Sequence, residues 1–262
     1  MNEPPPTDTN SVYFVRSGNA YLPQPLAKGP WAPNTLSGPA ISGLIATIFE
    51  QSVDLTGFSV ARYVLDFHGK PPDMPLTAEV KEIRPGRQMQ LHEVTLYSGD
   101  RIAARGSFLL ARIAETPVTE PGMPYPQPDK AKMVTLPFNR EGSSIRGIAL
   151  PDMSRLPGQN IVWLHMGGNI VEAIPATPFT RAMLIADFGG AMGACVPMAE
   201  WTFANMDISV HFFRMPLGEW MLIDSHSVSS GNGIAGAMTV LADEHGIFAR
   251  GFNTLFIGKR PG

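Results

Sequence analysis

At 262 residues the chain is long enough for one large domain or two of about 130 residues, and a core of either size is easily buried. Apolar residues make up 44% and charged residues 16%, a globular composition, and the formal net charge of −3 leaves no electrostatic footprint for nucleic acid. A single cysteine, Cys195, excludes an intrachain disulfide and a cysteine-based metal site.

The start, Met1-Asn2-Glu3-Pro4-Pro5-Pro6, has neither the basic residues nor the apolar run of a signal peptide, and residues 1–10 read as a disordered proline-rich tail. No apolar stretch reaches the roughly 20 residues of a membrane helix, so the expectation is a soluble, cytoplasmic protein. A first strand is expected over 11–16. Residues 36–52 then place Ile41, Leu44, Ile45, Ile48 and Phe49 at helical spacing. Turns at Gly86 and Ser98-Gly99-Asp100 separate the strands that follow. Residues 115–137 carry Pro117, Pro121, Pro124, Pro126, Pro128 and Pro137, a density that stops helices and removes ladder donors, so this is read as an extended surface linker. It separates a first unit (11–114) from a second (138–262).

The second unit reads in the same order. A strand is expected over 160–166 and a long helix over 178–196, with Pro178 in its first turn and weakened by Gly189, Gly190 and Gly193. In 203–214, Met206, Ile208, Val210 and Phe212 alternate with Asn205, Asp207, Ser209 and His211, which predicts a strand with the second set on its polar face. Gly218, Gly231-Asn232-Gly233 and Glu244-His245-Gly246 mark the later turns. The two units are also similar at one ungapped offset of 145 residues: Phe58 with Phe203, Phe67 with Phe212, Pro71 with Pro216, and Ala104-Arg105-Gly106 with Ala249-Arg250-Gly251. A period this long indicates a duplicated domain. Each half is thus expected to be one strand, one long helix and a four-strand antiparallel meander. One helix is the only element available to cover each sheet, which gives an α+β double hotdog.

The segments LIADFGGAMG (184–193), WTFANMDISVHFFRMPLGEWMLIDS (201–225) and DEHGIFARGFNTLFI (243–257) resemble the double-hotdog acyl-CoA thioesterase-like family, related to the type II bacterial enzymes, and residues 84–110 are similar to its first repeat. The resemblance implies a catalytic Asp on the second helix, a small polar residue on the next strand and a Gln on the last strand. These positions hold Asp187, Asn205 (where better-studied members have Thr) and Asn253 (one methylene shorter than Gln). It also implies an acyl-CoA substrate, no cofactor, and a homodimer or higher homo-oligomer, with neither nucleic acid nor membrane as partner.

The residue types suit the chemistry. Hydrolysis of a thioester needs a positioned water, a base and a stabilised oxyanion. Asp187 lies among Leu184, Ile185, Ala186 and Phe188, where desolvation raises a carboxyl pKa. Asn205 and Asn253 each offer an amide donor and an acceptor, and backbone N–H groups at a helix start offer an oxyanion site. Subtracting 145 gives Ser42, Val60 and Phe108, so one chemical centre per chain is expected, in the second repeat. The competing readings are an acyl-CoA binder without turnover and a hotdog enoyl-CoA hydratase, which would need an Asp–His pair. His165 and Cys195 read as packing residues, and the remaining histidines lack metal-ligand spacing.

Overall fold

The computed structural model describes residues 12–29, 34–119, 122–132, 145–153, 156 and 158–260. The tail expected over 1–10, parts of the linker and the first residues of the second unit lie outside these. The first repeat comprises β1 (Val12–Ser17), β2 (Ala20–Pro23), α1 (Gly38–Ser52), β3 (Phe58–Phe67), β4 (Leu76–Arg84), β5 (Met89–Ser98) and β6 (Arg101–Arg112). The second comprises β7 (Ile145–Ala149), β8 (Gln159–Met166), β9 (Asn169–Val171), α2 (Pro178–Ala186), α3 (Gly189–Met192), β10 (Trp201–Phe212), β11 (Trp220–Ser229), β12 (Ile234–Asp243) and β13 (Gly246–Lys259). The strands expected over 11–16 and 160–166 appear as β1 and β8.

Local chemistry sets the helix starts. Ser37 Oγ accepts from the Ala40 N–H at the head of α1, and Pro39 in that turn has no N–H to lose. Thr177 and Thr180 form a reciprocal capping box at the head of α2. Every residue from Ala40 to Phe49 is buried, so α1 is a core helix and not a surface one.

All strands join one sheet in the order β7-β8-β11-β12-β13-β10-β3-β6-β5-β4-β2-β1-β9. The repeats meet where β10 pairs antiparallel with β3, from Asp207 opposite Asp66 to His211 opposite Arg62. β9 leaves its own repeat and pairs in parallel with β1. The sheet encloses α1 and α2, which pack on each other, and one core draws on both repeats, with Ile41, Leu44, Leu184, Ile208 and Phe248 among its members. This is the double hotdog.

Three features differ from the expectation. Within each repeat only the last three strands form a meander; the first long strand returns beside the last, β3 on β6 and β10 on β13. The second helix breaks after Ala186, because the glycines that follow favour a short separate turn, α3, over continued helix. The 145 offset fits strand to strand but not helix to helix: the caps Ser37 and Thr177 lie 140 apart. Five extra residues sit between helix start and strand in the second repeat, and the broken helix and the following loop absorb them. Ser42 is therefore not the counterpart of Asp187.

Residues 122–132 lie across the outer face of the second repeat. The Tyr125 hydroxyl donates to Asp224 Oδ2 (2.9 Å), and Trp163 Nε1 donates to the Pro126 carbonyl (2.9 Å). The segment covers an apolar cluster that includes Ile161, Trp163, Trp220 and Leu222. At the corner after β10, Arg214 makes two 2.6 Å hydrogen bonds to Asp243, which is fully buried. The same carboxylate accepts from the Leu217 and His245 N–H groups, so one residue ties the β10–β11 loop to the β12–β13 turn. Asp243→Ala is expected to lower unfolding free energy by about 3–5 kcal/mol in denaturant titration, because it strands the guanidinium. Lys130→Ala, which removes an exposed bridge to Glu244, is expected to cost under about 1 kcal/mol.

Candidate active site

A cavity of about 350 Å³ opens between the repeats. Tyr13, Leu36, Phe67, Phe188 and Phe203 give it apolar walls, and Gly38, Asp187 and Asn205 give it a polar floor.

Asp187 follows the last residue of α2 and is 8% exposed. Asn205 Nδ2 donates to both its Oδ1 (2.8 Å) and its backbone carbonyl (2.8 Å), which fixes the carboxylate relative to β10. Burial raises the Asp187 pKa to about 7, against the smaller lowering by Asn205. Strict alternation had put Asn205 on the solvent face with Asp207, Ser209 and His211. The register of β10 on β13 shifts between Asn205 and Asp207, so Met206 is an extra, exposed residue. The bulge turns Asn205 inward while Ile208 and Val210 stay buried.

The carboxylate lies against the first turn of α1. A methyl group added at Gly38 would overlap both its oxygens. In that turn Pro39 has no N–H, Ala40 donates to Ser37 Oγ, and Ile41 donates to the Ser37 carbonyl. The Gly38 N–H has no partner among the described residues and is the donor left at the cavity, at the positive end of the helix. Searching for functional side chains misses Gly38, which has none. The signal in the sequence is a Ser-Gly-Pro helix start.

Asn253 lies behind this layer, 1% exposed and not among the cavity walls. Its Nδ2 donates to the Ala186 carbonyl (3.2 Å), one residue before Asp187, and its buried Oδ1 has no hydrogen-bond partner among the described residues. The fold thus gathers all three expected residues at the break in the second helix, with Asp187 and Asn205 facing the cavity.

Family models of an acyl-CoA thioesterase N-terminal domain and C-terminal domain match residues 27–111 and 119–257. The chain belongs to the acyl-CoA thioesterase family. No curated protein matches it. Among solved structures it is similar to a protein named a thioesterase from Novosphingobium aromaticivorans (22% identity, 93% of this chain and 98% of that one, TM-score 0.72). It is also similar to a tesB protein from Mycobacterium avium subsp. paratuberculosis (17%, 95% and 96%, 0.69) and to acyl-CoA thioesterase II TesB2 from Mycobacterium marinum (17%, 94% and 94%, 0.67). At these identities the structural likeness speaks for the fold.

In this thioesterase the matching end of the first repeat is filled. Pro178, without an N–H, stands where α1 has Gly38. The acid facing that cap is Glu50, which accepts from Thr177 Oγ1 at 2.7 Å and whose pKa burial raises. Phe108, aligned with Asn253, stacks on Phe49 at 3.8 Å with Phe179 and Tyr63 beside it. Elsewhere, His165 sits on β8 with Nε2 3.5 Å from Glu219, its pKa lowered mainly by burial, away from the cavity. Cys195 is partly buried, and among the described residues no His/Cys/Asp/Glu group is arranged to hold a metal.

The Asp187 shift has a thermodynamic consequence. A carboxyl with a raised folded pKa is neutral in both states below about pH 4. From there up to about pH 7 the folded state keeps a proton that the unfolded chain loses, so stability falls as pH rises through that window. Asp187→Asn is therefore expected to match the wild type in unfolding free energy near pH 4 and to exceed it by a few kcal/mol at pH 8, measured by denaturant titration at both values.

Proposed function

We propose that this thioesterase hydrolyses an acyl-CoA with Asp187 as general base, Asn205 as the group that orients it, and the Gly38 N–H as oxyanion donor. The observation that carries the reading is a buried carboxylate, pKa about 7, packed against Gly38, the glycine that starts α1, at the floor of an apolar cavity. Asp187 takes a proton from water as the water oxygen bonds to the thioester carbonyl carbon. Charge on the carbonyl oxygen is met by the Gly38 N–H and the end of α1. Collapse of the intermediate breaks the carbon–sulfur bond, and the proton held by Asp187 passes to the departing thiolate. Asn253 is a positioning residue: it holds the Ala186 carbonyl and through it the helix break that presents Asp187.

No histidine is among the cavity walls, so the Asp–His pair of a hydratase has no support there. Thiol release from a panel of acyl-CoAs tests the reading. Asp187→Ala is expected to lower kcat by about 10²–10⁴-fold. Tight acyl-CoA binding by the wild type without thiol release would instead establish a non-catalytic binder. Loss of enoyl absorbance without thiol would establish a hydratase.

Two further outcomes are specific to the geometry. Because the deprotonated carboxylate is the active form, kcat/KM is expected to rise with pH through about 7 and then level off, a limb absent from residual activity of Asp187→Asn. Gly38→Ala pushes a methyl into the carboxylate and is expected to lower kcat by about 10–100-fold with circular dichroism unchanged.

A further inference from the structure

We infer that Lys28, Lys70 and Arg260 form a phosphate-binding rim at the mouth of the cavity, which selects a thioester carried on a nucleotide over one carried on a bare pantetheine arm. The inference rests on the hydrolytic reading for the position of the thioester, but the rim is a separate set of groups.

The three cations reach one opening from separate parts of the chain. Lys28 follows β2, Lys70 follows the positive-φ Gly69 in the turn between β3 and β4, and Arg260 follows β13. All three line the same cavity as Asp187 and are exposed, whereas Asp187 is buried. The cavity therefore runs from a cationic entrance along apolar walls to a carboxylate. That is the order of groups on an acyl-CoA approached from its nucleotide: phosphates, then an uncharged pantetheine arm, then the thioester.

Local bonds hold two of the cations in place. Lys28 Nζ bridges Asp73 at 2.7 Å, and Arg260 Nε donates to the Met198 carbonyl at 2.8 Å, with its backbone N–H on the Glu200 carbonyl. Lys70 has no ion-pair partner among the described residues, which leaves its ammonium for a ligand anion. The chain as a whole has a formal net charge of −3, so a gathering of cations at this opening acts by local contact and not through overall attraction. A diphosphate and a 3′-phosphate together offer enough oxygens for all three side chains.

Calorimetric binding of free coenzyme A and of pantetheine, to wild type and to Lys70→Ala, Lys28→Ala and Arg260→Ala, tests the rim without requiring turnover. Coenzyme A is expected to bind at least about 10-fold more tightly than pantetheine, with an affinity that falls as salt rises. Lys70→Ala and Arg260→Ala are each expected to cost about fivefold for coenzyme A, and Lys28→Ala less because Asp73 already shares its charge. In hydrolysis the loss is expected in KM for the acyl-CoA, so that its preference over the matching N-acetylcysteamine thioester shrinks. Equal affinity for coenzyme A and pantetheine in the wild type, or substitutions that weaken both alike, would overturn the rim. Thiol released from both esters with equal kcat/KM would also overturn it and leave the chemistry at Asp187 standing. Selective coenzyme A binding with no thiol release from any ester would keep the rim and remove the hydrolytic reading.

Discussion

The site depends on one arrangement: a carboxylate taken out of water and set against the start of another helix. Removing water favours the neutral acid, whereas the Asn205 amide and the positive end of α1 favour the anion. Raising a carboxyl from 3.8 to about 7 corresponds to about 4 kcal/mol in favour of the protonated form. That balance already includes the opposing Asn205 hydrogen bond, about 1.5–3 kcal/mol for a charged one, and a helix dipole returns only about 0.3–1 kcal/mol. Desolvation therefore wins, but by a margin that leaves the group titrating near neutrality. Without Asn205 the acid would stay protonated to higher pH; with more solvent it would be too weak a base.

Placing that carboxylate requires two helices side by side, with the end of one at the start of the other, and duplication supplies both from one chain. Paired in this way, two repeats generate two such ends. Sequence divergence has used them differently. At one end Gly38 leaves room and an N–H, and the helix carrying Asp187 breaks there. At the other, Pro178 removes the donor, Phe49 and Phe108 stack, and Phe179 packs tilted beside them. Filling the second end with aromatic rings buries large apolar area in the shared core, so losing one site strengthens the scaffold of the other.

The duplication and the fold were legible in the sequence because each rests on a repeated signal, whereas the three polar positions came from the family resemblance. Strand aromatics and turn glycines recur at one offset, and period-two and helical patterns mark each element. What was not legible depends on events that periodicity averages away. A single inserted residue at Met206 reverses the face on which Asn205 lies, and no local composition marks that bulge. The five residues that shift the helix cap from the 145 offset to 140 lie in a segment without strand patterning, so the alignment passed over them and paired Asp187 with Ser42. Gly38 acts through its backbone and through its lack of a side chain, which a reading of functional groups does not weigh.

The glycines after Asp187 follow from the same constraint. Each glycine costs a helix about 1 kcal/mol relative to alanine, and the broken second helix reflects that cost. Alanine is nevertheless barred by contact. A Cβ at Gly189 would lie 2.7 Å from Asn253 Oδ1 and 2.8 Å from a Thr239 methyl, and one at Gly190 would lie 2.7 Å from Leu255. A backbone this close to the sheet lets Asn253 reach the Ala186 carbonyl and Ser225 Oγ reach the Gly189 carbonyl at 2.6 Å. The first gives the Ala186 carbonyl at the helix break a partner, and the second adds to the Gly193 N–H bond that the Gly189 carbonyl also accepts. With alanines here, α3 would have to stand off the sheet by several tenths of an ångström at the least. Asp187, at the junction, would move with it relative to Asn205 on β10. The weak helix is thus the condition for the short Asp187–Asn205 contact, and the stability it forgoes is recovered in polar contacts to β11 and β13.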